Sequence, residues 1–284
     1  MKRHAMTKFQ PPLLRILRPR HSCISAQRGF TLVEAVMVIA ITGIIASMVA
    51  VFIATPVKGY FDSARRAELT DTADTAIRRI SRDVHLALPN SVRLANPQVI
   101  EFLQTRTGGR YRVDGTGIED ILDFTNPTDT TFDVLGPTVT LVAGDQIVIY
   151  NLGITGADAY VGNNRRAYNG AGGIVTNVPI TSTTTFPLDS PGHRFQVVDT
   201  PVTYICNPGA GTLTRYWGYT IVDPQPNPPT GGNNALLATN VSNCTFTYTQ
   251  GVTERSGLVS IQLAITQDNE TVSLYHAVQV SNVP

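Results

Sequence analysis

The chain has 284 residues, 42% of them hydrophobic and 15% charged, with a formal net charge of +1. This balance excludes global disorder, and the length allows one sizeable globular domain with an extra segment, or two small domains. Charge is unevenly placed: the first 29 residues hold seven of the 22 basic residues and no acid, leaving 15 basic against 21 acidic, a net of −6. A mildly acidic body argues against nucleic-acid binding, because neutralising phosphates needs a basic face.

The basic leader spans residues 1–29 and carries Lys2, Arg3, Lys8, Arg15, Arg18, Arg20 and Arg28, with Met6 as a second candidate start. It ends at Gly29-Phe30-Thr31-Leu32-Val33-Glu34, and the longest apolar run follows, with no charge from Ala35 to Ala54. At about 1.5 Å per residue, roughly twenty helical residues match the thickness of a bilayer's hydrocarbon core. Tyr60 and Phe61 stand where interfacial aromatics would sit, and the positive-inside rule places the leader in the cytoplasm and the body outside.

An ordinary secretory signal would be shorter and start earlier. A lipoprotein signal would set its cysteine after small apolar residues, whereas Cys23 follows Arg20, His21 and Ser22. A plain membrane anchor leaves Glu34 unexplained, since a carboxylate inside a span costs on the order of 3 kcal/mol and usually marks a function.

The acid-free leader, Gly29-Phe30, Glu34 at the fifth position after the glycine and the apolar run together resemble the signal of type IV pilins and pseudopilins. The resemblance implies cleavage by prepilin peptidase between Gly29 and Phe30 and N-methylation of Phe30. It also implies that Glu34 pairs with the terminal amine of a neighbouring subunit in the filament core. The leader is longer than those typical of major pilins. Implied partners are prepilin peptidase, other minor and major pilins and an inner-membrane assembly platform. The implied location is the inner membrane as a single-pass protein with a periplasmic body, and then the filament.

Beyond the apolar run, Leu69, Ala73, Ala76, Ile77, Ile80, Val84 and Leu88 recur at three- and four-residue steps, the stripe of an amphipathic helix. Asp62 with Arg66, Asp74 with Arg78 and Arg79 with Asp83 are read as exposed pairs on its outer faces. Arg65, Arg66, Arg78, Arg79 and Arg82 are read as a solvated face. Pro89 predicts a helix end near Leu88, so one long helix runs from Thr31 to Leu88, with Pro56 a candidate bend.

From Val99 the pattern changes to period two. Predicted strands are 99–103, 111–113, 121–124, 145–150, 195–199, 202–206, 213–219, 243–249, 258–266 and 271–280. Gln267-Asp268-Asn269-Glu270 supplies the turn of a C-terminal hairpin. Residues 136–191 and Pro224–Gly232 read as long loops between strands.

The expected fold is α+β and pilin-like: a long N-terminal helix packed on an antiparallel β-sheet domain with long loops. The expected divisions are 1–29 leader, 30–55 membrane or filament-core helix, 56–88 amphipathic continuation and 89–284 periplasmic β-rich domain.

Removing the leader with Cys23 leaves Cys206 and Cys244, which read as one disulfide in an oxidising compartment or as two buried free thiols. The element Leu213-Thr214-Arg215 and the strand Phe246-Thr247-Tyr248 are similar to those of PilW/MshO-type minor pilins and the larger minor pseudopilins.

No catalytic motif is present, and His4, His21, His85, His193 and His276 have no metal-ligand spacing. The sequence calls for no cofactor and no metal. Ca²⁺ occurs in some pseudopilins, but Asp114, Glu119, Asp120 and Asp123 lack EF-hand spacing and read as solvated turns. Trp217, Tyr216 and Tyr219 are read as core, with an adhesive face as the alternative. The functional expectation is a non-enzymatic minor pilin or pseudopilin at or near a filament tip.

Overall fold

The computed structural model describes residues 29–181, 184–250 and 256–284, so the leader up to Arg28, including Cys23 and Met6, lies outside the described residues. The chain divides into two units, Met1–Val57 and Lys58–Pro284.

In the first unit, helix α1 (Leu32–His85) starts after Thr31, whose Oγ1 accepts the Glu34 N–H at 3.3 Å. Thr31 is therefore an N-cap that satisfies one of the free donors of the first turn. The hydroxyls of the apolar stretch turn back onto the helix: Thr42 donates to the Val38 carbonyl at 2.6 Å and Ser47 to Ile44 at 2.7 Å. Neither presents an open donor to a surrounding hydrocarbon. The large apolar residues here are exposed all round, from Leu32 to Ile53. The helix continues through Pro56.

In the second unit α1 becomes one-sided, with Leu69, Ala73, Ala76, Ile77, Ile80 and Val84 buried. It stops at His85, three residues before the expected end. Leu88 donates to the Leu103 carbonyl and Thr105 to the Leu86 carbonyl, both at 2.7 Å, so sheet pairing captures the backbone before Pro89 acts.

Fourteen strands follow among the described residues: β1 (Arg93–Asn96), β2 (Val99–Tyr111), β3 (Thr131–Leu135), β4 (Val139–Leu141), β5 (Gln146–Ile149), β6 (Arg165–Ala167), β7 (Gly173–Val175), β8 (Asn177–Pro179), β9 (Arg194–Asn207), β10 (Thr212–Trp217), β11 (Asn233–Ala238), β12 (Val241–Thr249), β13 (Gly257–Gln267) and β14 (Glu270–Val280). The main antiparallel sheet runs β11-β10-β9-β2-β3-β8, with β1 on β2 and β5 and β6 joined through β9. A second sheet is β12-β13-β14, and β4 pairs with β7.

The principal core lies between α1 and both larger sheets, with Ile77, Ile80, Phe102, Tyr204, Phe246 and Ile261 among its members. A second core gathers Tyr111, Phe132, Leu141, Ile147, Phe186 and Phe195 at the far ends of β2 and β9.

Several expectations are corrected. The strands predicted at 99–103 and 111–113 are one strand, β2, because Gly108 and Gly109 continue the ladder: Gly109 faces Phe195 across it, and a Cβ there would come within 2.9 Å of the Phe195 ring. The two predicted at 195–199 and 202–206 are likewise one strand, β9, which carries Pro201 within it. Residues 121–124 form no strand; Leu122 and Phe124 pack into the second core from a loop. The strand predicted at 145–150 is β5, but residues 136–191 hold four further short strands where loops were expected, and their apolar side chains supply much of that second core.

The C-terminal hairpin is as expected. Asp268 and Asn269 take φ of 48° and 67°, the left-handed pair that a two-residue hairpin turn requires.

Candidate functional site

The N-terminal residues form one short, accessible stretch. Gly29, Phe30 and Thr31 lie outside the helix, and the Phe30 side chain is 72% exposed. A peptidase needs a reachable bond, and Gly29 and Phe30 are both exposed and outside the helix. Glu34 follows in the first turn of α1, where a carboxylate favours the helix dipole. Thr31 and Glu34 hold the N-cap and third positions of a capping-box pattern, a local role for both residues that the sequence reading missed. Beyond Glu34, the described helix is long and apolar enough to cross a membrane.

The second group of functional residues holds α1 on the body. Asp83, read from sequence as half of an exposed pair, is 2% exposed. Its Oδ2 accepts from Arg215 Nε and from the Tyr204 hydroxyl, each at 2.7 Å. Arg79 reaches the other oxygen at 3.3 Å from a half-exposed position. Burial and the neighbouring Asp83 carboxylate push the Tyr204 phenol well above its ordinary range, so it remains a donor. Arg215 also stacks 4.6 Å over the Trp217 ring.

The signal for this clamp was in the pattern. Asp83 follows Ile80 by three residues on the buried stripe, and Arg215 shares the inward face of β10 with Leu213.

The other arginines correct the solvated-face reading in part. Asp62 pairs with Arg65 at 3.5 Å rather than with Arg66. Arg65 and Arg66 reach Asp268 and Glu270 at the β13–β14 turn, both at 3.4 Å. Arg78 pairs with Asp74 as expected.

A further buried carboxylate, Glu101, accepts from Arg93 at 2.7 Å and from the Thr203 hydroxyl at 3.2 Å. Burial raises its pKa, while Arg93 acts against that shift. Tyr219 joins this network through Thr203 and is buried; Tyr216 and Trp217 are half-buried.

Cys206 and Cys244 are joined as a disulfide with Cα atoms 6.2 Å apart, tying β9 to β12.

Of the acidic residues weighed for calcium, Glu119 and Asp123 bond within their own loops. The Thr116 N–H and hydroxyl hold Glu119, the Thr125 hydroxyl and N–H hold Asp123, and both carboxyls sit below their usual range for that reason. Asp120 accepts from Asn177 at 2.8 Å. Among the described residues no group of three His, Cys, Asp or Glu side chains is placed to share a metal.

Residues 24–50 match the family model described as the prokaryotic N-terminal methylation motif. The chain therefore carries a prepilin-type signal, the mark of type IV pilin-like proteins, on the segment that holds Gly29, Phe30 and Glu34. No curated protein and no solved structure matches the chain.

Proposed function

We propose that the chain is a minor pilin or pseudopilin, cut by prepilin peptidase between Gly29 and Phe30, methylated at Phe30 and inserted at or near the tip of a type IV filament of the PilW/MshO type. There it helps to initiate assembly and performs no catalysis. The observation that carries this reading is the coincidence of three features on one segment. These are the methylation motif at 24–50, an accessible Gly29–Phe30 bond and a carboxylate, Glu34, at the mouth of a wholly exposed apolar helix.

A carboxylate entering hydrocarbon or a dry filament core needs a cation, and cleavage creates one, the Phe30 amine of an adjacent subunit. The body then rides on α1 through Asp83, Arg215 and Tyr204, so that assembly of the stem carries the β domain with it. Insertion places the stem in the inner membrane and the body in the periplasm, where the Cys206–Cys244 bond persists.

Co-expression with prepilin peptidase tests this. Wild-type protein should lose residues 1–29 and Gly29→Val should not. Equal processing of both, or of neither, would refute it.

A further inference from the structure

Two strand edges lie open on opposite flanks of α1. Among the described residues β14 pairs with β13 alone and β11 with β10 alone. β14 keeps register with β13 along all eleven residues without a bulge, and Glu270 is its only formally charged residue. Exposed edges are usually guarded by lysine, proline, bulges or shortness, and β14 has none of these. Gln267 and Glu270 close the two-residue turn as a bonded pair, so alternate residues from Thr271 to Gln279 aim their N–H and C=O groups outward.

Each edge is bordered by a groove against α1. The β14 groove, about 690 Å³, is lined by Ala67, Thr70, Asp71 and Leu274, with the ion-paired Arg66, Asp74 and Arg78. The β11 groove, about 440 Å³, is lined by Ala76, Arg79, Arg82 and Leu237. Their free charges are opposite. Asp71 has no ion-pair partner among the described residues, nor has Arg82, and Arg79 shares the Asp83 carboxylate with Arg215.

Strand directions match as well. Arg66 meets Glu270 and Ser81 meets His276, so β14 runs with α1. Tyr204, which bonds Asp83, lies across from Ile100, and Leu103 bonds Leu88, so β2 advances from Ile100 to Leu103 as the chain advances from Asp83 to Leu88 and also runs with α1; three antiparallel steps through β9 and β10 make β11 run against it. Two copies with parallel α1 helices would therefore bring β14 of one against β11 of the next in antiparallel pairing. Pairing β14 with itself in that manner would instead set the two helices in opposite directions.

We propose that β14 of one copy adds to β11 of a second copy of this chain, with Asp71 facing the other copy's Arg79 and Arg82. The contact is heterologous and leaves a free edge at each end, so it repeats along a row. It rests on the pilin reading only in taking neighbouring α1 helices as parallel.

The test uses two tagged full-length copies in the membranes of one expressing cell, both with Cys23→Ser. One carries Thr271→Cys and the other Leu236→Cys, the register that sets Asp71 level with the other copy's Arg79 and Arg82 and Ser273 opposite Asn234, with a short bis-maleimide as the probe. The mixed pair should cross-link about tenfold above Thr271→Cys paired with Val161→Cys, an exposed control position. Adding Ser273→Pro, or the edge-guarding Ser273→Lys, should cut the yield about fivefold: the proline removes an outward bond worth about 1 kcal/mol, and the lysine sets a charge on the joined edge. Proline at 273 removes an N–H that β13 does not use, and the lysine variant keeps every backbone donor.

A yield no higher than the control, a yield unchanged by both Ser273 variants, a linkage of Thr271→Cys to itself alone, or capture of only a different pilin would each overturn the proposal. The N-terminal mass of the same samples separates the two readings. A mixed cross-link on unprocessed chains refutes the pilin reading alone, and processed chains without the cross-link refute strand pairing alone.

Discussion

Replacing Arg215 with methionine removes the main counter-charge of a carboxylate that water does not reach. Asp83 would keep the Tyr204 hydroxyl at 2.7 Å and Arg79 at 3.3 Å. Breaking a buried pair on one side costs about 3 to 5 kcal/mol, because the remaining ion is left uncompensated. Arg79 relieves part of this, which sets the expectation at the lower end, about 3 kcal/mol. For a body of this size that is a fall in Tm of about 6 to 12 °C. Arg78→Met is the control: its pair with Asp74 is largely exposed, and such pairs contribute about 0.5 kcal/mol or less. The double variant Asp83→Leu/Arg215→Met removes both charges and should be more stable than Arg215→Met alone. Thermal unfolding of the detergent-extracted chain, followed by near-ultraviolet circular dichroism, reads all three. A loss for Arg215→Met no larger than for Arg78→Met would refute the claim that this clamp holds α1 to the sheet.

Glu34→Ala should abolish co-purification with other pilins while leaving the Tm of the body unchanged; equal co-purification would remove Glu34 from assembly. Cys206→Ser with Cys244→Ser opens a loop of 38 residues, for a loss of about 3 to 4 kcal/mol in the chain-entropy model, measured by denaturant unfolding. Because burial holds Glu101 above its ordinary pKa of 4.5, the unfolded chain ionises first as pH rises, and stability contributed by the neutral acid is lost through the raised value. Glu101→Gln should therefore lose less Tm than wild type as pH rises from 4.5, and a steeper loss would contradict the argument. Asn269→Gly relieves a side chain from positive φ and should raise Tm slightly, by up to about 1 kcal/mol of stability; a fall would show that Asn269 has a side-chain role in the turn.

What the sequence made legible were the features carried by local pattern. The membrane-length run, the apolar stripe from Leu69 to Val84 and the alternation from Val259 to Ile265 each report one element's own period. The candidate site was visible for the same reason, as Gly29 to Glu34 are contiguous. Pairing between distant segments was not visible: β1, β3, β4, β6, β7, β8 and β11 are three to six residues long, too short for alternation to stand out. Asp83 was misread because a sequence spacing of four suggested Arg79, whereas the ion that decides its environment, Arg215, is 132 residues away. The end of α1 shifted because β2 claimed the Leu86 carbonyl and the Leu88 N–H just beyond it, a tertiary event that Pro89 does not announce.

The most direct measurement is the N-terminus of the membrane-extracted protein, by intact mass and peptide sequencing. The account predicts a chain that begins with N-methyl-Phe30 and retains the Cys206–Cys244 bond. A chain that still carries its leader, or is cut elsewhere, would contradict it.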